Sequence, residues 1–137
     1  MASPAHPFLL LQRRTQSPAT AKPRTEDETR ESEGARLACR RCLSVVTDGS
    51  QRIAVGGAHA HHFVNPHGIE FDVGCFADAG GCVTVGEAST YWSWFPGFAW
   101  RIEVCAGCGE HLGWLFVSAD ALFHGLILDR LVEVALD

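Results

Sequence analysis

The sequence predicts an all-β domain, either a sandwich or an open pair of antiparallel sheets. Three observations lead there. Short runs that alternate apolar with polar residues recur between residues 43 and 117, each closed by Gly, Pro, Asn or Asp. Two C-x-x-C pairs, Cys39/Cys42 and Cys105/Cys108, stand far apart, with 62 residues between them. Three of the four tryptophans fall within Tyr91-Trp92-Ser93-Trp94-Phe95-Pro96-Gly97-Phe98-Ala99-Trp100, and Trp114 follows closely.

Residues 1–36 read as a disordered N-terminal tail. Pro4, Pro7, Pro18 and Pro23 interrupt it, and residues 25–33 offer no apolar side chain to bury, so ordering entropy goes uncompensated. The folded part is expected over residues 37–137. Leu43-Ser44-Val45-Val46 is a short strand ended by the turn Thr47-Asp48-Gly49-Ser50, and Arg52-Ile53-Ala54-Val55 is a second, stopped by Gly56-Gly57. His61-His62-Phe63-Val64 and Ile69-Glu70-Phe71-Asp72-Val73 flank Asn65-Pro66-His67-Gly68 as a hairpin. Val83-Thr84-Val85 alternates, as does Trp100-Arg101-Ile102-Glu103-Val104, which leads into Cys105. Leu112-Gly113-Trp114-Leu115-Phe116-Val117 is a nearly continuous apolar strand, while residues 122–134 fit a strand or a short helix equally.

The cysteine spacing points to metal. Each C-x-x-C supplies two thiolates from one tight turn, and together Cys39, Cys42, Cys105 and Cys108 make the closed tetrahedral set of a structural Zn²⁺. A redox C-x-x-C would need a βαβ setting and no matching second pair. Cys75 and Cys82 remain as small buried hydrophobes, or as a redox pair if a hairpin through Ala79-Gly80-Gly81 joins them. His59, His61, His62 and His67 cluster beside a turn, but no carboxylate completes a facial metal set, and they read as strand and loop residues; His111 reads as a packing residue beside the second C-x-x-C.

In the aromatic stretch, Trp92 and Trp94 leave one face if the segment is extended, and Pro96-Gly97 reverses the chain so that Trp94 and Trp100 can stand side by side. Either an aromatic core or an indole-walled pocket follows. Charge narrows the classes of partner. Residues 37–137 carry five Arg against eleven Asp/Glu, a net of −6, so a phosphate backbone is disfavoured and no nucleic acid is expected. No run approaches the roughly 18 apolar residues of a membrane span. Phe8-Leu9-Leu10-Leu11 is too short for a signal-peptide core, and a reducing, cytoplasmic setting is expected.

Taken in order, the two C-x-x-C pairs, Phe63-Val64-Asn65-Pro66-His67-Gly68, Ser93-Trp94-Phe95-Pro96-Gly97-Phe98-Ala99-Trp100 and Cys105-Ala106-Gly107-Cys108-Gly109-Glu110-His111-Leu112-Gly113-Trp114 resemble the CULT domain. That is the thalidomide-binding domain of cereblon, which also occurs as single-domain bacterial proteins. The resemblance spans residues 37 to about 134. It implies a β-tent fold, two antiparallel sheets pinned at a zinc, shared with Yippee-like proteins and methionine-R-sulfoxide reductases. It implies a cage of Trp94, Trp100 and Trp114, with Phe116 closing the floor and Asn65 and Pro66 at the mouth. The Trp92 carbonyl and the Trp94 N–H would hold the ligand's imide edge. Trp92 stands where the family has a smaller or differently shaped residue, but a backbone contact does not depend on its side chain. No Lon-like or helical region accompanies the domain here, so no ubiquitin-ligase adaptor role is implied.

The function expected is therefore non-enzymatic binding of a cyclic imide or a pyrimidine-like ring: glutarimide, thalidomide type, uridine or a cyclised Asn or Gln terminus. Two other classes compete. A choline or methyl-ammonium cage also uses indole faces and commonly adds an acid; the nearest are Glu87 and Glu103, and Glu103 faces away from Trp100 and Ile102. A sulfoxide-reductase-like enzyme needs an activated cysteine at the pocket, and neither Cys75 nor Cys82 lies in the aromatic run.

Overall fold

The computed structural model describes residues 34–135, so the expectation for residues 1–33 lies outside the described residues. Nine strands form among the described residues: β1 (Arg36–Cys39), β2 (Val45–Asp48), β3 (Ala60–Val64), β4 (Glu70–Phe76), β5 (Cys82–Ser89), β6 (Ala99–Cys105), β7 (His111–Val117), β8 (Leu122–Ile127) and β9 (Leu131–Val134). All pair antiparallel. A small sheet runs β9-β1-β2 and a large one β3-β4-β8-β7-β6-β5. The molecule is all-β with two sheets, and fits the β-tent.

The two faces of the large sheet do different things. In the β6–β7 register Trp100 opposes Phe116 and Ile102 opposes Trp114, so these four side chains share one face. Beneath them lies a core of Phe63, Val73, Phe95, Phe98, Phe123 and Ile127. Gly125 opposes Trp114, and a Cβ there would come within 2.7 Å of the Phe116 ring, so only glycine leaves room for this packing. On the other face Leu126 and Phe76 pack with Leu37 and Val46 of the small sheet. Burying such side chains stabilises by about 1.5–3 kcal/mol each.

Several local readings need correction. Leu43 and Ser44 belong to a turn, and the strand runs from Val45 through Thr47 to Asp48 before a 3-10 turn at Gly49–Gln51. Residues 52–55 make only the isolated bridges Arg52 to Phe76 and Val55 to Ala58. Trp92 is not extended: its φ is 57°, and residues 91–97 form turns and bends. Residues 122–134 resolve into β8, a 3-10 turn (Leu128–Arg130) and β9. Cys75 and Cys82 are not joined by a hairpin, because β8, β7 and β6 stand between β4 and β5. Burial pushes the Cys75 thiol up, and burial with the nearby Glu103 pushes Cys82 up to about 12, so neither is an activated thiolate. Glu103 does turn away from Trp100, but into the protein. It is 1% exposed and lies 2.8 Å from His124 Nδ1.

The turns carrying the two C-x-x-C pairs have the same backbone. Leu43 N–H donates to the Cys39 carbonyl at 2.7 Å and Gly109 N–H to the Cys105 carbonyl at 2.9 Å. Cys39 N–H and Cys105 N–H donate to Ser44 and Glu110 at 2.8 Å each. The residue after each second cysteine is left-handed, with φ 67° at Leu43 and 83° at Gly109. Leu43 has a Cβ in that conformation and is 60% exposed, with little packing to lose. Leu43→Gly is therefore expected to stabilise the domain by about 0.5–1 kcal/mol, the left-handed cost less the entropy of glycine, read as a raised denaturation midpoint. A lowered midpoint would show that the Leu43 side chain contributes more than its exposure suggests.

Candidate functional site

Two features stand out, a cluster of thiols and a cleft. The four Sγ atoms of Cys39, Cys42, Cys105 and Cys108 all lie within 4.8 Å of one another. Cys39 and Cys108 are 3.7 Å apart and Cys42 and Cys105 3.6 Å. Thiolates at about 2.3 Å from one zinc define a tetrahedron with edges of about 3.8 Å, so the cluster fits a metal with little rearrangement. Gly107 N–H donates to Cys105 Sγ at 3.3 Å. Contact with Ser44 holds the Cys42 thiol down to about 6, whereas at Cys108 a backbone hydrogen bond at Glu110 is outweighed by desolvation and the three neighbouring thiols, which push it up to about 12. One C-x-x-C joins β1 to β2 and the other β6 to β7, so the cluster bridges the two sheets.

The cleft measures about 570 Å³ and opens on the aromatic face of the large sheet. Asn65, Pro66, His67 and Ile69 come from the β3–β4 loop and Phe71 from β4; Tyr91, Trp92 and Trp94 come from the turn before β6. Trp100 and Ile102 come from β6, His111, Trp114 and Phe116 from β7, and Arg130 from the turn before β9. The structure thus gathers Asn65, Pro66, Trp92, Trp94, Trp100, Trp114 and Phe116 into one space.

The walls are held by ring contacts and by backbone acceptors. Trp94 stacks on Phe63 at 4.7 Å and meets Trp114 edge-on at 4.9 Å and 83°. The Trp92 and Trp94 indole N–H groups both donate to the Val64 carbonyl, at 3.0 and 3.1 Å, pinning the turn to β3. Trp100 donates to the Tyr91 carbonyl at 2.8 Å. Asn65 Oδ1 accepts from the N–H groups of His67 and Ile69, both at 2.9 Å, so this side chain shapes the mouth loop.

Two backbone groups in this turn are different. Neither the Trp92 carbonyl nor the Trp94 N–H has a hydrogen-bond partner among the described residues, although Ser93 N–H bonds Thr90 and Phe95 N–H bonds the Ser93 hydroxyl. Unpaired backbone groups at a concave apolar site call for an external partner. The left-handed φ of 57° at Trp92, uncommon for a bulky residue, sets the direction of its carbonyl.

The remaining candidates lie elsewhere. His59 contacts the Ile53 carbonyl at 3.1 Å and burial pulls it down to about 4, leaving it neutral; His61 contacts the Val55 and Ala58 carbonyls, both at 3.0 Å, and burial lowers it as well. His62 is exposed between Asp72 and Glu70, which raise it. The histidines form no metal-holding group among the described residues. Phe71, Ile102, His111 and Arg130 are cleft residues that sequence reasoning missed. For Ile102 the signal existed, since it lies two residues from Trp100 on the same strand.

An all-β pair of sheets bridged by a four-cysteine cluster defines the class of domain. The chain is similar in fold to a crystal structure described as the Mis18 "Yippee-like" domain, with a TM-score of 0.50 at 12% identity, covering 75% of this chain and 97% of that one. In sequence it is similar to Protein cereblon of Xenopus tropicalis, 46% identical over 56 residues, and of Danio rerio, 43% over 54 residues. These matches cover 41% and 39% of this chain but 12% of each relative, so the chain matches about an eighth of the relatives' length. No family model matches. The similarity supports a cereblon-like, CULT-type domain. Among the described residues no helix is long and apolar enough to cross a membrane.

Proposed function

We propose that this chain is a small-molecule-binding module whose indole cleft takes a flat, neutral cyclic imide or uracil-like ring by its C=O, N–H, C=O edge. Glutarimides of the thalidomide type, uridine and cyclised Asn or Gln termini share that edge. The observation that carries the reading is the unpartnered pair at Trp92 and Trp94 in a cleft walled by Trp94, Trp100 and Trp114. The ring N–H donates to the Trp92 carbonyl, and one imide oxygen accepts from the Trp94 N–H. Leaving either group buried and unpaired costs about 1–3 kcal/mol, which gives selectivity against rings lacking the edge.

Among the described residues no Asp or Glu lines the cleft and Arg130 does, which speaks against a cation cage. A catalytic role for cysteine is disfavoured, since neither Cys75 nor Cys82 lines the cleft. In this reading the four-cysteine cluster holds a structural Zn²⁺, the binding domain begins with β1 at Arg36, just ahead of the boundary expected at Leu37, and works in a reducing cytoplasm, and residues 1–33 lie outside the binding unit. Tryptophan-fluorescence titration with glutarimide, uridine and choline tests the proposal. Glutarimide and uridine are expected to quench saturably and choline negligibly; choline displacing glutarimide would reverse the assignment.

A further inference from the structure

A six-membered imide ring fills only part of a 570 Å³ cleft, a size that suits a larger, drug-sized molecule. The chemistry of the remaining space is uneven. Residues 37–137 carry five Arg against eleven Asp/Glu, yet among the described residues no acid lines the cleft and Arg130 is its one permanently charged residue. The guanidinium is held in place: Nη1 donates to the His111 carbonyl at 2.7 Å, and the group sits 5.9 Å over the Phe71 ring. Phe71 in turn meets Trp114 edge-on at 5.3 Å and Trp94 at 6.1 Å, so the charge stands one ring away from two cage walls.

Among the described residues only one guanidinium N–H of Arg130 is used, the one donated to the His111 carbonyl. The ion pairs among the described residues are Arg41–Glu110, His62–Glu70, His62–Asp72 and His124–Glu103, and none includes it. A second donor is also spare. Trp114 is 8% exposed, lines the cleft, and its indole N–H has no acceptor among the described residues, unlike those of Trp92, Trp94 and Trp100. Buried donors of this kind need acceptors, and a fixed guanidinium favours an anion with two oxygens. Beyond Arg130 lies an adjoining cleft of about 440 Å³, lined by Arg40, Arg41, Glu110, Asp129 and Arg130 itself. There Arg41 and Glu110 pair at 3.1 Å, and Arg40 donates to the Asp129 carbonyl at 2.7 Å.

We infer that the ligand of the indole cleft is a ring that carries an anionic arm, a carboxylate or a phosphate, whose oxygens meet the Arg130 guanidinium. This rests on the imide-edge reading above and extends it: the edge places the ring, and the arm selects among molecules that share it. The arm extends from the ring past Phe71 toward the adjoining cleft.

The test compares two matched pairs, uridine with uridine 5′-monophosphate and glutarimide with a carboxymethyl-glutarimide. Dissociation constants are measured calorimetrically in wild type and Arg130→Gln at low and at high salt. Each supporting result has an anionic partner binding at least about 10-fold tighter than its parent in wild type at low salt. A gain for the phosphate alone, the carboxylate alone, or both identifies the arm. The gain should shrink at high salt and vanish in Arg130→Gln, where each anionic molecule binds no tighter than its own uncharged parent. If Arg130→Gln does not fold, the wild-type salt series decides, and a gain indifferent to salt overturns the inference. Parents that bind while their anionic partners gain nothing overturn it and leave the imide-edge reading intact. If none of the four molecules binds, the imide-edge reading fails and the inference falls with it.

Discussion

Cys105→Ser is expected to leave the domain unfolded at room temperature, and stripping the metal with a strong chelator should do the same to the wild type. Cys105 is buried, 3.6 Å from Cys42, and sits where the end of β6 meets the cluster that bridges the two sheets. Structural zinc in small thiolate sites contributes about 10–16 kcal/mol to folding at neutral pH. Domains of this size are stable by only about 5–15 kcal/mol in total, so loss of the metal is comparable to loss of the whole margin. The small sheet has three short strands and packs through few large side chains, chiefly Leu37 and Val46, so it has little else to hold it. Near-UV circular dichroism and metal analysis check this. One zinc per chain and loss of tertiary signal on chelation are expected; a folded domain with less than about half an equivalent of zinc would contradict it.

N-methylation of the imide is expected to lower affinity at least about 10-fold, whereas Trp100→Ala should weaken every ring-shaped ligand by about 2–4 kcal/mol. The two changes act on different parts of the site. Trp100 has no ring partner among the described residues and is fixed mainly by its bond to the Tyr91 carbonyl, so its indole face is available as a wall. Removing that wall costs contact area without regard to the ligand's polar edge. N-methylation leaves all the walls in place, deletes the donor to the Trp92 carbonyl, and adds bulk where the backbone comes closest. Loss with the N-methyl imide, at little change in salt dependence, separates edge recognition from a generic aromatic site. Equal binding of the N-methyl compound and its parent would remove the Trp92 contact.

Much of the large sheet was legible because its strands alternate. Trp100, Ile102 and Val104 against Arg101 and Glu103 announce β6, and the nearly continuous apolar run 112–117 announces a strand buried on both faces. The thiol cluster was legible for a chemical reason, since two C-x-x-C pairs admit few other uses. The small sheet was not, because β1 has only four residues and pairs with β9 from the far end of the chain, Cys39 opposite Leu131. Alternation placed Glu103 on the face opposite Trp100 and Ile102, but it reports which residues share a face and not what covers it, so neither the burial of Glu103 nor its partner His124 could be read. The turn before β6 hid its geometry too, as nothing in Tyr91-Trp92-Ser93 marks a left-handed tryptophan. Arg130 carried no signal at all, because a 3-10 turn between β8 of the large sheet and β9 of the small one brings it to the cleft.

Amide hydrogen exchange at Trp94, followed by NMR with and without glutarimide, tests the edge-recognition claim most directly. The Trp94 N–H has no acceptor among the described residues, so in the free protein it should exchange quickly for a residue that is only 5% exposed. Saturating glutarimide is expected to slow that exchange at least about 10-fold and to shift the amide resonance, while choline at the same concentration leaves both unchanged. Glutarimide that binds, by calorimetry on the same sample, yet leaves Trp94 exchange as it was would contradict the account.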